Sequence, residues 1–124
     1  MSGETKLVSA KEGGSVTLYP QLTEIKKDDV IDWRFGDNLI ARVRNNNNPS
    51  VYEDELDGKF RGRLQLNGQT GDLTITKIKT TDAGVYEVSN SINTIRKTFS
   101  VSAGIVVGVV VLVAAVVVGV AGAV

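Results

Sequence analysis

The chain has 124 residues, with 14 basic and 14 acidic side chains and neither cysteine nor histidine. That length allows one domain and little more. The balanced, interspersed charge offers no basic face for a nucleic-acid backbone, and without histidine or cysteine the usual zinc sites and imidazole acid–base chemistry are excluded.

Taken in chain order, short alternating runs separated by turn residues give an all-β reading. Gly13-Gly14 turns the chain, and Val16, Leu18 and Pro20 then share one face while Ser15, Thr17 and Tyr19 share the other. Ile31, Trp33 and Phe35 alternate with Asp32 and Arg34, which predicts a strand with one buried face. Gly36-Asp37-Asn38 turns the chain again, and residues 39–44 read as a further strand with Leu39, Ala41 and Val43 inward. Residues 45–50 (NNNNPS) read as a polar loop, and residues 51–58 as an acidic, irregular stretch. Residues 60–66 and 73–78 predict a hairpin around Asn67-Gly68 and Thr70-Gly71, whose glycines supply positive φ. Residues 85–89 and 96–102 complete the set after a corner at Thr81-Asp82-Ala83-Gly84.

No charged residue lies beyond residue 102, and residues 103–124 read AGIVVGVVVLVAAVVVGVAGAV. As a helix, about 22 residues reach roughly 30 Å, the thickness of a bilayer's hydrocarbon core. The reading is a membrane-spanning helix over residues 103–124 behind a domain over residues 1–102. Gly104 and Gly108 form a GxxxG, and Ala115 and Gly119 a similar spacing, which would let a second helix approach closely. No apolar leader core precedes the domain and no basic cluster follows Val124, so the sequence reads as part of a longer chain, with the domain extracellular on a single-pass plasma-membrane protein.

Several motifs now converge. Asp82-Ala83-Gly84-Val85-Tyr86-Glu87-Val88 resembles the immunoglobulin D-x-G-x-Y-x-C motif, with Val88 in place of cysteine. Ser15-Val16-Thr17-Leu18-Tyr19-Pro20 resembles strand B, with Pro20 where the first cysteine would stand. Trp33 with Phe35-Gly36 resembles the core tryptophan strand, and Arg63-Leu64-Gln65-Leu66 and Leu73-Thr74-Ile75 resemble strands D and E. The soluble part thus resembles an immunoglobulin variable-type (V-set) β-sandwich lacking the inter-sheet disulfide. It is similar to the first domains of SLAM-type leukocyte receptors and to short immunoglobulin-like surface proteins of fish. Proline cannot donate to a sheet ladder, so strand B is expected to stop or bend at Pro20.

The resemblance implies roles. Arg63 and Asp82 would bridge the bottom of the sandwich, Tyr86 would return its hydroxyl to the backbone near Asp82, and Trp33 would lie in the core. Recognition would fall on the face of strands G, F, C, C′ and C″. With Trp33, Tyr86, Val88, Phe99 and Val101 inward, that face carries Asp32, Arg34, Arg42, Arg44, Glu87, Ser89, Arg96 and Thr98. The implied partner is another immunoglobulin-type surface protein, alike or different, with a weak homodimer as one form. The alternative is an accessory membrane subunit that assembles through its helix, with the outer domain mainly a spacer. No catalytic set, cofactor or metal is expected: the acidic run from Glu53 to Gly58 lacks the glutamate and flanking helices of a calcium loop. No N-glycosylation sequon is present, because Pro49 blocks Asn48 and the other asparagines lack Ser or Thr two residues on.

Overall fold

The computed structural model describes residues 5–22, 28–44, 47–92, 94–107 and 110–114. Ten strands occur among them: β1 (Thr5–Lys11), β2 (Val16–Leu18), β3 (Val30–Phe35), β4 (Asn38–Arg44), β5 (Asn47–Val51), β6 (Leu64–Leu66), β7 (Leu73–Ile75), β8 (Gly84–Asn90), β9 (Arg96–Val107) and β10 (Val110–Ala114). The larger sheet has the order β1-β9-β8-β3-β4-β5, with β10 also on β9, and the smaller has the order β2-β7-β6. All pairings are antiparallel except β1 with β9.

The core forms where the inward residues of the two sheets meet. Leu18, Leu64, Leu66, Leu73 and Ile75 come from the smaller sheet, and Ile31, Trp33, Val43, Tyr86, Val88, Phe99 and Val101 from the larger. Val88, at the position of the missing cysteine, is fully buried. Trp33 is also fully buried, so its indole N–H needs a partner; it donates to the Gly71 carbonyl at 2.8 Å, tying the larger sheet to the smaller. Its ring lies 5.4 Å from that of Phe99.

A second aromatic group closes the other end. Phe35 lies 4.7 Å from Tyr86 and 5.5 Å from Phe60. Below it Arg63, just before β6, grips Asp82 in the short 3-10 turn Thr80–Asp82, with contacts of 2.7 and 2.9 Å to the two carboxylate oxygens. The Tyr86 hydroxyl donates to the Asp82 carbonyl at 2.7 Å. Burial alone would raise the Asp82 pKa. The Arg63 hydrogen bonds and the Lys79 N–H outweigh it and hold the carboxyl below its ordinary value. The Asp82 hydrogen bond likewise raises Arg63. Gly84 admits Phe35, because a Cβ there would stand 2.4 Å from the ring.

The structure departs from the sequence reading at four places. Residues 47–50, read as loop, form most of β5, an edge strand whose Pro49 sits where a missing N–H is tolerated. β1 has no counterpart in the sequence reading. Leu7 is exposed and only Val8 and Ala10 pack on the core, so little alternation announces it. In β4 the register slips opposite Trp33 and Arg34, a bulge that buries both Ile40 and Ala41 and leaves Leu39 half-exposed, where alternation had placed Leu39 inward.

The fourth correction concerns the end of the domain. Ala103 and Gly104 are not the start of a helix: they continue β9, pairing with Ala10 and Lys11 of β1. Ala103 is fully buried, and the Gly104 carbonyl accepts from the Glu12 N–H at 2.7 Å. A run of small and β-branched apolar residues suits a buried strand as well as a bilayer, and hydropathy alone does not separate the two. Among the described residues no helix is long and apolar enough to cross a membrane. Gly108 and residues 115–124 lie outside the described residues.

Two outcomes follow. A fragment ending at residue 102 should melt below one ending at residue 107, because it loses Ala103 from the core and the Glu12–Gly104 bond; equal melting temperatures would show the extension to be dispensable. Asp82→Asn should cost about 3 kcal/mol in urea unfolding, the scale of breaking a buried pair. Because the folded pKa of Asp82 is depressed, its contribution is complete above the unfolded value of about 4 and is lost as pH falls below it. The variant should therefore lose less stability than the parent between neutral and strongly acidic pH.

Candidate functional site

The outward residues of β4, β3, β8 and β9 form rows across the larger sheet. Arg42 faces Asp32, Asp32 faces Ser89, and Ser89 faces Arg96, so four strands contribute one continuous row. The next row runs from Arg34 through Glu87 to Thr98. The eight residues named from alternation, including Arg44 at the end of β4, therefore share one sheet.

Their charges are organised within the face. Arg42 binds Asp32 through both ends of its fork, Nε to Oδ1 at 2.6 Å and Nη2 to Oδ2 at 3.0 Å. That hydrogen bond raises the Arg42 pKa against the opposing effect of partial burial. Arg34 reaches the same Asp32 at 3.5 Å and donates to Ser89 Oγ at 3.3 Å. Ser89 is consequently buried beneath the charged layer. Arg96 stands 3.7 Å from Glu87 with its side chain half in solvent. Four arginines against two acids leave the face with positive excess.

The loop between β8 and β9 is held by groups that the sequence reading passed over. Asn90 Oδ1 accepts from the N–H groups of Thr94 and Ile95 at 2.9 Å each, and its amide donates to Thr94 Oγ1 at 2.8 Å. Buried Asp29 accepts from the Val30 N–H and from Ser91 Oγ. An asparagine in a strand followed by a polar turn was the available signal. Lys97 was also missed: it shares the parity of Phe99, so its stem runs inward and its ammonium donates to the Pro20 carbonyl. The ladder of β2 ends at Leu18, so the missing N–H of Pro20 costs no ladder bond.

The acidic stretch uses its carboxylates locally, Asp54 on Arg61 at 2.5 Å and Glu53 on the Gly62 N–H at 3.1 Å. Among the described residues no group of three or more potential metal ligands occurs. The face can offer a stiff, flat, charge-patterned surface to another protein.

Among curated proteins no sequence relative is found. Solved structures with the same fold include the CD2-binding domain of CD58 (19% identity, TM-score 0.65, covering 82% of this chain and 54% of that one), so this chain spans about half its length. CD84, whose structure addresses SLAM family function, matches at 21% identity and TM-score 0.65, covering 81% of this chain and 97% of that one. The extracellular domain of the voltage-gated sodium channel β4 subunit, described as a parallel homodimer with a role in cell–cell adhesion, matches at 15% identity and TM-score 0.65, covering 86% and 90%. The immunoglobulin V-set domain family matches residues 3–107, which takes in β1 to β9 and ends where β9 ends, and the chain belongs to that family.

Proposed function

We propose that the protein is a cell-surface recognition or adhesion receptor whose V-set domain binds another immunoglobulin-type domain through the β9-β8-β3-β4-β5 face. The observation that carries this reading is the row Arg42–Asp32–Ser89–Arg96, which lines up charged side chains across four strands, with Arg42 held on Asp32 and Arg96 left half in solvent. Arginine is favoured at protein interfaces, and mixed charge favours specificity and rapid encounter over raw affinity. The structural neighbours give the reading context, since CD58 is described as binding CD2 and the β4 subunit as forming an adhesive homodimer.

The same proposal attaches the domain to a membrane. Beyond Gly104 the sequence runs to Val124 without a charge. About 20 such residues suffice to cross a bilayer as a helix, the form that lipid imposes on a backbone with no other hydrogen-bond partner, and a span of that length would take residues 105–107 and 110–114 out of the strand pairing they make here. A span starting after Gly104, which pairs with β1, would leave Gly104 outside a helix seam with Gly108.

Sedimentation velocity on residues 1–107, over a range of concentrations at low and high salt, tests the face. Salt-sensitive dimers are expected. Arg96→Glu should weaken them by about tenfold or more, because like charges brought together across an interface cost several kcal/mol. Arg42→Glu should do the same but also breaks the bridge to Asp32, so Arg96→Glu is the cleaner variant. A dimer indifferent to both reversals would place the contact elsewhere, and a strict monomer would point to a different immunoglobulin-type ligand.

A further inference from the structure

The opposite side of the sandwich has different chemistry. In the smaller sheet Leu18, Leu73 and Leu66 face the core, so the alternate positions face out. Thr17, Thr74 and Gln65 form one outward row, and Tyr19 and Asp72, just beyond the ends of β2 and β7, line hollows beside it. Tyr19 is 56% exposed, one of three large apolar side chains left in solvent among the described residues. On one side it lines a hollow of about 500 Å³ together with Lys6 and Lys97, and on the other it stands between two smaller ones. One, of about 300 Å³, is lined by Thr17, Gln65, Asn67 and Thr74; the other, of about 330 Å³, by Gln21, Gln69 and Thr70. Tyr19 and Asp72 line both.

We propose that this outer face is a binding site for a neutral saccharide, centred on the Tyr19 ring and the Asp72 carboxylate. A pyranose presents an apolar C–H surface ringed by hydroxyl groups that both donate and accept. It calls for a flat aromatic surface beside fixed amides, hydroxyls and a carboxylate, and that is the inventory of the two hollows. Among the described residues no lysine or arginine lines either of these two, and Lys97 of the adjoining hollow is already bound to the Pro20 carbonyl. An anionic ligand seated in the two would meet no counter-charge from these residues, and a charged protein surface would find one carboxylate. A carboxylate accepts from two adjacent hydroxyls at once, which is the discriminating contact for a sugar.

The site is also stiff. Thr17 Oγ1 and Thr74 Oγ1 are hydrogen-bonded at 2.8 Å. Asn67 Oδ1 accepts from the N–H groups of Gln69 and Thr70 at 2.8 and 3.0 Å, which fixes the turn that carries the second hollow. Among the described residues Asp72 is engaged through its backbone, its N–H to Thr70 Oγ1 at 3.3 Å and its carbonyl from the Asn67 N–H at 2.9 Å, and the carboxylate is left for a ligand. No sequon occurs among these 124 residues, so none of their asparagines would place an N-glycan over the face.

The test is saturation-transfer NMR on the full chain with neutral oligosaccharides ending in mannose, galactose, glucose or N-acetylglucosamine, and with sialylated and sulfated controls. At least one neutral sugar should receive saturation. Binding should fall tenfold or more in Tyr19→Ala, weaken in Asp72→Asn, persist in Tyr19→Phe, and be unchanged in Arg96→Glu on the other face. Tyr19 is exposed, so circular dichroism should find Tyr19→Ala folded; a variant that unfolds is replaced by Tyr19→Ser. No neutral sugar bound at millimolar concentration, binding of the anionic controls alone, or neutral-sugar binding indifferent to Tyr19→Ala would each overturn the proposal.

Discussion

The pair formed by Arg63 and Asp82 sets the lower half of the sandwich. Both side chains are buried, and a charge in that position is tolerable only with every donor and acceptor used. Arg63 meets the condition by donating also to the carbonyls of Lys59, Thr76 and Lys77, while Asp82 accepts in addition from the Lys79 N–H. The guanidinium thereby fixes the approach to β6, the turn after β7 and the 3-10 turn before β8. Lys59, 3.6 Å from Asp82, lies over the rings of Phe35 and Phe60 and extends the same network into the aromatic cluster. The lower core is therefore aligned by charge as much as by packing.

The upper half has no covalent tie between its sheets. A disulfide at this loop length would contribute roughly 2–5 kcal/mol. What stands there instead is distributed: Val88 buried in the core, the Trp33 indole bonded to the Gly71 carbonyl, and Lys97 holding the Pro20 carbonyl from the far sheet. Charge-assisted bonds of the Lys97 kind contribute about 1.5–3 kcal/mol. None of these alone replaces the bridge, but each fixes a different strand, and together they keep the larger sheet in the register that its charged rows require.

This division explains what the sequence disclosed. Strands that bury one face and expose the other announce themselves by parity, and Trp33, Tyr86, Val88, Phe99 and the outward charges were all legible that way. The bulge at Ile40 was not, because two adjacent buried residues look like a lapse in the pattern. β1 is bound along one edge by backbone pairing and leaves Leu7 in solvent, so composition carries little trace of it. β5 is held almost wholly by backbone bonds to β4, which NNNNPS does not betray. The end of β9 was misread because valine, alanine and glycine serve a buried strand and a lipid-facing helix equally. Lys97 was hidden for the opposite reason: a charged residue at an inward position looks like an error until a carbonyl is found for it.

The two outer surfaces differ in a way that bears on how the domain could work. On the larger sheet the arginines are neutralised in part by Asp32 and Glu87 and left in excess, a pattern whose attraction is long-ranged, directional and sensitive to salt. On the smaller sheet amides and hydroxyls surround one aromatic ring, and interactions there are short-ranged and indifferent to ionic strength. Contacts through the two faces would therefore respond to different variables. Two bonds join them: Lys97, beside Arg96, holds the Pro20 carbonyl next to Tyr19, and the Trp33 indole, beside Asp32, holds the Gly71 carbonyl next to Asp72. The two contacts would therefore differ in their response to salt while sharing the bonds that fix both faces to one frame.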